Sequence, residues 1–547
     1  MFPTEKTQKI EPRNGKDTMK TLHAVIVPFP AQGHVTPALQ LAKKLVGLGF
    51  RITFVNTIHI HERMMKSRSK AAVQDDKDIE FVAVPDGLPD NHPRLNDLCA
   101  FCKTTTELGP VFKEVLADLL RKSSITCVIR DAVLTAVHGS AKKLGIPIVV
   151  LATPSAIAMQ CIYHLQTFVA NEVLPLPAPP LGQAPSLDPV KLTIGLPRSE
   201  PEIKARQAPL TCLPGGSPTM RVDDIPTFLV SHDLDAFFPR FFRELQNPFL
   251  PDSECILYNT YSALEGDILN AMAGDMNSHT YAIGPLVFDT PPTSSDGVGK
   301  ELSLLGAGSA SSLWEEDPIS LAWLDHQAPK SVLFVSFGSI TTVSMQQIQE
   351  FATGLELSKH AFLWVIRPDL IESIWADNGH QGMFSDFMGR TRDRGLLVPW
   401  APQTAVLSHP SVAAFLTHCG WNSTIESISC GIPMLGWPRF ADQNTNCHYI
   451  VHVWKTGLAL QGHLDPNGAT VVSKEEIANK VKKIMACDKT DLEVDEIRNN
   501  TRNFQIEARK AVERGGSSQT ALMKFVELIK GITKCPTFTP SSNSMHI

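Results

Sequence analysis

Short apolar runs alternate with amphipathic stretches in two separate regions of the chain. The first region opens near residue 22 and contains the runs HAVIVPFP, RITFVN, IEFVAVP, ITCVIRD and PIVVLAT. Apolar residues then recur at helical spacing after the first run, at Ala38, Leu41, Ala42, Leu45 and Leu48. Residues 132–144 are predicted to form the helix between the last two runs. Continuous apolar runs separated by helices predict a parallel sheet that is covered by helices on its faces.

The second region repeats this pattern from Ser331 onward. The run VLFVSFGS precedes a predicted helix that Ser344 and Gln347 can cap, and AFLWVIRP, GLLVPW and AAFLTH follow as further strands. Ile348, Phe351 and Leu355 share one face of that helix. Two α/β sheets are therefore expected, with a ligand cleft at the carboxyl ends of their strands.

A chain of 547 residues is long enough for two hydrophobic cores. Segments rich in Pro, Ser and Gly divide it, and 175–218 is expected to be a surface excursion of the first domain. The predicted organisation is a disordered tail (1–20), an amino-terminal domain (21–288), a linker (289–318), a carboxyl-terminal domain (319–500), final helices (501–531) and a second disordered tail (532–547).

Composition excludes several classes of partner. The net charge of -6 provides no basic excess to hold a nucleic-acid backbone. The most apolar stretch, 145–163, is interrupted by Pro147, Pro154 and Gln160, so a membrane span is not expected. The first twenty residues lack the apolar run of a secretory signal, and the 11 cysteines are an odd number without regular spacing. A reduced cytoplasmic protein is predicted, with Cys99 and Cys102 as an isolated pair that does not indicate a metal or redox site.

The segment 400–443 has the features of a nucleotide-sugar pocket. A predicted strand leads through His418 and Gly420 into a short helix, where free backbone N–H groups favour an anion such as a diphosphate. Asn422 and Ser423 can donate to phosphate oxygens, or they can simply cap the helix. Glu426, one turn after Asn422, is what favours the first interpretation, because a carboxylate can accept hydrogen bonds from both ribose hydroxyls.

Residues at both ends of the same segment have side chains that suit a nucleotide sugar. The planar indole of Trp400 and the amide of Gln403 suit stacking on uracil and pairing with its polar edge. The carboxylate of Asp442 is a hydrogen-bond acceptor, and the amide of Gln443 is both a donor and an acceptor. Together they offer the groups that binding sugar hydroxyls requires.

The segment resembles the signature box of the plant family 1 UDP-glycosyltransferases, through Trp-x-Pro-Gln, His-Cys-Gly-Trp-Asn-Ser, Glu and Asp-Gln. The resemblance implies an α/β protein of the GT-B fold, in which two Rossmann-like domains with parallel sheets face each other across a cleft and the final helix, 517–529, returns to the first domain. It implies UDP-glucose as co-substrate, with glutamine at the last position of the box accompanying glucose. The implied donor-site residues are Ser339, Trp400, Ala401, Gln403, His418, Gly420, Trp421, Asn422, Ser423, Glu426, Asp442 and Gln443. Ala413 departs from the family's usual glycine.

His34 and Asp131 are the predicted catalytic pair. Each follows a strand of the first domain, and a parallel sheet brings such positions to one edge. The carboxylate would orient the imidazole and leave its other nitrogen as the general base, and the resembled enzymes carry a histidine and an aspartate at matching positions. The resemblance also places the hydroxyl of Thr153 near the donor sugar. Arg130 stands where a small residue is expected. Its side chain is expected either to make Asp131 more acidic or to point to the other face of the sheet.

These assignments predict an inverting glucosyltransferase that forms a β-O-glucoside and needs no metal. Another UDP-hexose, or a nucleotide-sugar-binding protein without turnover, remains an alternative. A nicotinamide oxidoreductase would instead show Gly-x-Gly-x-x-Gly after the first strand, where this chain has PAQGHVTP. The acceptor pocket is expected from 86–98, 155–164 and 237–242, and its ligand is open among flavonoids, phenols, terpenoids and hormones. A monomer is the default expectation.

Overall fold

The fold comes from a computed structural model that describes most of the chain. The described residues are 22–67, 78–92, 94, 97–177, 199–246, 252–275, 279–288, 313, 316–317, 319–341, 343–368, 370, 378–464, 470–486 and 491–534. The predicted tails (1–20 and all but three residues of 532–547), most of the linker 289–318 and the middle of the excursion 175–218 lie outside the described residues.

The first domain contains a seven-stranded sheet in the order β3-β2-β1-β4-β5-β6-β7, with every neighbouring pair parallel. Its strands are β1 (His23–Val27), β2 (Arg51–Thr57), β3 (Ile79–Val84), β4 (Cys127–Asp131), β5 (Ile148–Ala152), β6 (Cys255–Tyr258) and β7 (His279–Ala282). The apolar runs predicted the first five. The last two have four residues each, too short for a periodic signal to identify.

Ten α-helices belong to this part of the described chain. They are α1 (Gln32–Gly47), α2 (Ile58–Ser67), α3 (Leu98–Glu107), α4 (Gly109–Lys122), α5 (Ala136–Lys143), α6 (Ala156–Tyr163), α7 (Leu165–Ala170), α8 (Glu200–Arg206), α9 (Phe237–Gln246) and α10 (Ser262–Asp275). Helix α5 starts four residues later than the predicted 132. The reason is that Asp131 accepts a hydrogen bond from the Val133 N–H at 3.0 Å, which holds the chain in a turn after β4.

The second domain contains a six-stranded parallel sheet in the order β10-β9-β8-β11-β12-β13. Its strands are β8 (Val332–Ser336), β9 (Ala361–Val365), β10 (Gly395–Val398), β11 (Val412–Thr417), β12 (Met434–Gly436) and β13 (Gly457–Ala459), with a separate antiparallel pair, β14 (His463–Leu464) and β15 (Thr470–Val471). The register between β8 and β11 shifts between Val412 and Ala414, so Ala413 lies at an irregularity of its strand.

The helices of the second half are α11 (Ile319–Asp325), α12 (Met345–Ser358), α13 (Asn378–Thr391), α14 (Gln403–Ser408), α15 (Trp421–Cys430), α16 (Gln443–His448), α17 (Lys474–Met485), α18 (Leu492–Val512) and α19 (Ser517–Lys534). Ser344 caps α12 by accepting from the Gln347 N–H. The Gln347 side chain does not complete that cap as predicted. It is buried and exchanges two hydrogen bonds with the backbone of Val472 instead.

Helix α19 packs on the first sheet, where Phe525 and Ile529 share a buried cluster with Leu39 and Ile52. The predicted boundary between residues 500 and 501 falls inside the continuous helix α18. Within the described ranges, no helix joins the length and the apolar character that crossing a bilayer requires.

A buried apolar interface joins the two domains. Two indole N–H groups of the second domain donate to backbone carbonyls of the first: Trp421 to Asn259 at 2.9 Å and Trp454 to Leu264 at 3.1 Å. Both tryptophans belong to a hydrophobic cluster that also contains Ile157 of the first domain. The relative orientation of the domains, and with it the shape of the cleft, is therefore fixed by packing as well as by hydrogen bonds.

Candidate active site

A cavity of about 320 Å³ lies between the carboxyl ends of the two sheets and is lined by residues of both domains. The first domain contributes His34 and Thr153. The second contributes every predicted donor-site residue: Ser339, Trp400, Ala401, Gln403, His418, Gly420, Trp421, Asn422, Ser423, Glu426, Asp442 and Gln443. The structure thus brings together residues that lie up to about four hundred positions apart in the sequence.

His34 and Asp131 form a direct pair at the edge of the first sheet. His34 Nδ1 lies 2.8 Å from Asp131 Oδ2, and Asp131 Oδ1 accepts from the Val133 N–H. The aspartate is 1% exposed, whereas the histidine side chain is 24% exposed and lines the cavity. This geometry fixes one ring nitrogen on the buried carboxylate and leaves Nε2 as the nitrogen available to a ligand.

Thr153 and Arg130 adjoin this pair in different ways. The Thr153 hydroxyl lies 2.8 Å from His34 Nδ1, so it contacts the predicted base as well as lining the cavity. The Arg130 guanidinium donates to the backbone carbonyls of Asp131 and Ala132 at 2.8 and 3.0 Å. Burial lowers the pKa of Arg130 to about 10. Arg130 therefore braces the main chain that follows β4.

The turn between β11 and α15 faces the cavity. Gly420 is the N-cap residue of α15, and no side chain caps this helix. The alternative that Asn422 and Ser423 serve as caps is thus not what the structure shows. The Asn422 amide donates to the Gly33 carbonyl at 2.8 Å, and the Ser423 hydroxyl accepts from Gln403 at 3.0 Å. The first N–H groups of α15 are left to the cavity, as an anion site requires.

His418 is enclosed by two glycines. A Cβ atom added to Gly338 or Gly420 would lie 2.6 or 2.4 Å from His418 Nε2, so the ring fits only because both side chains are absent. Burial lowers the pKa of His418 to about 4, and the positive charge of Arg367 acts in the same direction. His418 is therefore neutral near neutral pH and can offer one ring N–H to a phosphate oxygen.

Gln403 and Glu426 form a pair on the nucleoside side of the cavity. Gln403 Nε2 donates to Glu426 Oε2 at 2.7 Å as well as to Ser423, so its carbonyl oxygen is the group that can accept from a base. Burial raises the pKa of Glu426 to about 7, against the opposing effect of the Gln403 hydrogen bond. Hydrogen bonds donated by the hydroxyl groups of a ribose would favour the ionised form of this carboxylate.

Asp442 and Gln443 lie at the start of α16. Gln443 Oε1 accepts from the N–H groups of Arg439 and Phe440 at 2.9 and 3.1 Å, which holds the preceding loop. Its amide nitrogen is the part that can donate to a ligand. Burial raises the pKa of Asp442, while the hydrogen bond from Asn446 at 3.0 Å opposes that shift.

Comparison with known proteins identifies the family. The family model described as UDP-glucoronosyl and UDP-glucosyl transferase matches residues 315–491. The 7-deoxyloganetin glucosyltransferase of Gardenia jasminoides is 36% identical over 516 residues, which are 93% of this chain and 97% of that protein. The chain belongs to the plant family 1 UDP-glycosyltransferases. Linamarin synthase 1 of Manihot esculenta is a further relative, 34% identical over 93% of this chain and 97% of its own length.

A solved plant structure of the family has the same architecture. Phytolacca americana UGT2, complexed with UDP-2fluoro-glucose and pterostilbene, superposes with a TM-score of 0.69 at 26% identity, over 93% of this chain and 100% of that one. The predicted GT-B fold is therefore confirmed. As a member of this family, the chain is a glycosyltransferase that takes a sugar from a UDP-linked donor.

The aromatic side of this glycosyltransferase's cavity is built by the first domain. Phe238, Phe241 and Phe242 of the predicted segment 237–242 line it. Phe228 stacks on Phe238 with ring centroids 4.8 Å apart and meets Phe440 of the second domain edge-on at 6.2 Å.

The other two predicted acceptor segments contribute less. Leu98 of 86–98 and Ile162 of 155–164 reach the cavity, whereas Asp86 pairs with Arg94 beside a separate small cavity. Phe228 and Phe440 were not predicted, because neither belongs to an aromatic run that would distinguish it from the core. Cys102 lines the cavity as a thiol whose pKa burial raises to about 12. Among the described residues, no three His, Cys, Asp or Glu side chains are grouped to hold a metal.

Proposed function

We propose that this protein transfers glucose from UDP-glucose to a hydroxyl group of a small lipophilic acceptor, with inversion at the anomeric carbon, and that His34 is the general base. The observation that carries the proposal is the 2.8 Å contact between His34 Nδ1 and Asp131, beside a cavity that also contains the donor-site residues. A base held in this way has one free ring nitrogen at the meeting point of donor and acceptor.

The donor occupies the side of the cavity formed by the second domain. Trp400 stacks on uracil, the Gln403 carbonyl accepts from the base, and Glu426 accepts from the ribose hydroxyls. The diphosphate lies against the first N–H groups of α15, with His418, Asn422, Ser423 and Ser339 around it. Asp442 and the Gln443 amide hold the hexose. The relative named for 7-deoxyloganetin glucosylation and the solved structure containing UDP-2fluoro-glucose support glucose as the sugar.

The reaction is a single displacement. His34 Nε2 takes the proton of the acceptor hydroxyl while that oxygen forms a bond to the anomeric carbon, and the bond from that carbon to the UDP oxygen breaks on the opposite face. An α-linked donor then gives a β-glucoside through an oxocarbenium-like transition state of the kind known for glycosidases. The helix N-terminus and His418 stabilise the negative charge that develops on UDP. Activity is expected to persist in the presence of a metal chelator.

The phenylalanines around Phe228 indicate an acceptor with a flat or bulky apolar body. Flavonoids, simple phenols, terpenoids and hormones all fit that description. Two relatives are named as a 7-deoxyloganetin glucosyltransferase and as linamarin synthase 1, so 7-deoxyloganetin belongs in the panel of alcohols worth assaying.

The test measures UDP release with UDP-glucose and a panel of such alcohols. His34→Ala should lose at least about a hundredfold in turnover and keep its affinity for UDP, because a general base contributes roughly that factor or more. His279→Ala, an exposed histidine of β7, is the matched control. Turnover by His34→Ala at the wild-type rate would exclude His34 as the base. Binding of UDP-glucose without turnover of any acceptor would favour the alternative of a binding protein.

Two further measurements refine the assignment. Competition between UDP-glucose and other UDP-hexoses tests the sugar, and the anomeric coupling constant of the product tests inversion. A monomer and a cytoplasmic location stay predictions, which size-exclusion chromatography and cell fractionation check.

A further inference from the structure

Asn446 is a buried amide on α16, one turn after Asp442. Its Nδ2 donates to the Asp442 carboxylate at 3.0 Å and to the Cys419 carbonyl at 2.9 Å. Its Oδ1 accepts from the Ser155 hydroxyl of the first domain at 2.7 Å. Both donors of the amide are thus used, and each of its three bonds reaches a different part of the site.

The Ser155 partner is itself rigidly held. Ser155 is the N-cap of α6 and accepts from the Ala158 N–H. The buried carboxylate of Glu265 accepts from the next two N–H groups of the same helix, those of Ala156 and Ile157, at 3.1 Å each. The start of α6 is therefore anchored within the first domain. It also lies two residues after Thr153, whose hydroxyl contacts His34.

The Cys419 partner belongs to the turn between β11 and α15 (418–420), here called the phosphate turn. Cys419 has a positive φ of 64°, a conformation that costs free energy for a residue with a side chain. The hydrogen bond from Asn446 to its carbonyl helps to hold this conformation directly before Gly420, where α15 begins. The same amide thus touches the element that receives the diphosphate.

The Asp442 carboxylate does not cap its own helix, because α16 has no side-chain cap. The hydrogen bond that the Asn446 amide donates to this carboxylate orients it instead. His34 and Asp442 both line the cavity, so the two groups face a common space. A carboxylate that must grip sugar hydroxyls from one side needs such an orienting donor.

We propose that Asn446 is a positioning residue that holds the Asp442 carboxylate in the orientation that binds the donor sugar. It does so by linking Asp442 to the phosphate turn through Cys419 and to the His34 side of the cleft through Ser155. The inference rests on the proposed function, in which Asp442 binds the hexose. Asn446 is fully buried and does not line the cavity, so its effect is exerted through Asp442. Loss of this amide should therefore weaken recognition of the sugar more than recognition of UDP.

The experiment compares binding of UDP and of UDP-glucose, without acceptor, by calorimetry. Asn446→Leu removes all three hydrogen bonds at similar volume. We expect it to raise the Kd of UDP-glucose relative to that of UDP by about tenfold, the effect of losing one hydrogen bond to a charged group. Asn444→Leu is the matched control, because Asn444 lies on the same helix and also bonds across the interface, to the Asp223 carbonyl. Its ratio should stay at the wild-type value.

A double-mutant cycle separates positioning from a general structural role. In an Asp442→Ala background, Asn446→Leu should no longer change the ratio of the two Kd values, because the group that it positions is absent. An equal weakening of UDP and UDP-glucose by Asn446→Leu, or an undiminished effect in the Asp442→Ala background, would overturn the inference.

Ser155→Ala provides a milder variant in case Asn446→Leu does not fold. It removes the bond across the interface together with the N-cap bond from the Ala158 N–H, and it should lower kcat while the Kd of UDP stays unchanged. Unchanged kcat in Ser155→Ala would contradict the proposed link to the His34 side. Failure of the wild-type protein to bind UDP would instead refute the proposed function itself, so the two failures are distinguishable.

Discussion

The side-chain amide of Asn422 donates to the backbone carbonyl of Gly33 at 2.8 Å. This bond joins the start of α15 in the second domain to the residue that directly precedes His34 in the first. The element that receives the diphosphate and the loop that carries the base are therefore mechanically connected across the cleft. A substitution at Asn422 should consequently affect the alignment of donor and acceptor as well as the affinity for the nucleotide.

For Asn422→Ala, we expect kcat to fall by about tenfold or more, because the lost hydrogen bond no longer holds the His34 loop against the donor. The Kd of UDP should rise by a smaller factor. Steady-state kinetics and calorimetry on the same preparation measure both quantities, with Asn171→Ala on the first domain as the control. A variant that loses UDP affinity but keeps kcat would show that the bridge to Gly33 has no part in alignment.

Asp131→Asn tests how the base is oriented. The amide has nearly the same size as the carboxylate, but it can present an N–H to His34 Nδ1 and reverse the tautomer. We expect kcat to fall by roughly a hundredfold to ten-thousandfold, with the Kd of UDP unchanged.

Thr153→Val should have a smaller effect on kcat than Asp131→Asn, because the carboxylate remains to orient the ring. Equal losses in the two variants would show that the hydroxyl and the carboxylate contribute as one unit. Wild-type kcat in Asp131→Asn would mean that the contact with Asp131 does not serve catalysis.

Glu426 should make donor affinity depend on pH. Burial raises the pKa of this carboxyl to about 7, well above its ordinary value, so a large fraction is protonated in the empty protein at neutral pH. Ribose hydroxyls donate to the ionised form. The affinity for UDP-glucose should therefore increase as pH rises through about 7. Glu426→Gln should bind more weakly and lose this dependence, which calorimetry over the range can measure.

The same shift predicts the stability of that variant. Because the folded-state pKa lies above the unfolded value, the contribution of Glu426 to stability is fully present in acid and is lost as pH rises through about 7. Glu426→Gln carries no such cost. Its melting temperature should exceed that of the wild type above about pH 7, and the difference should shrink in acid. A constant difference across the pH range would contradict the assigned pKa.

Gly420→Ala tests the enclosure of His418. The added methyl would lie 2.4 Å from His418 Nε2, so the ring must move from its place beside the phosphate site. We expect the Kd of UDP to rise by about tenfold, as for the loss of one hydrogen bond to a charged group.

The clash should vanish when the ring is absent. The double variant with His418→Ala should therefore bind UDP about as well as His418→Ala alone, because the two substitutions act on the same contact. Additive losses would place the effect of the methyl group elsewhere, for example on the backbone of the turn.

The sequence predicted the strands where burial is continuous along the chain. Val332–Ser336 is buried at every position. Its apolar run predicted the strand, and the carboxyl end of that strand predicted the position of the cleft. The chemistry of the donor site was predictable for a related reason, since residues 400–443 are contiguous and carry several functional groups at fixed spacing.

Contacts between distant segments could not be predicted in the same way. The bonds from Asn422 to Gly33 and from Asn446 to Ser155 join positions separated by 389 and 291 residues. No local pattern specifies them, because they depend on how the two domains are docked. For the same reason, the sequence does not show that the Gln347 side chain bonds to the backbone of Val472 instead of completing a cap. It also does not show that Phe228 lines the cavity.

The indole bridges from Trp421 to Asn259 and from Trp454 to Leu264 have a consequence for thermal denaturation. Melting either domain alone would leave both indole N–H groups without their hydrogen-bond acceptors and would expose the apolar cluster between the domains. The halves should therefore lose their structure together, in a single calorimetric peak, although each has its own sheet. Trp454→Phe, which keeps an aromatic ring but no donor, is the substitution expected to broaden that peak or split it in two.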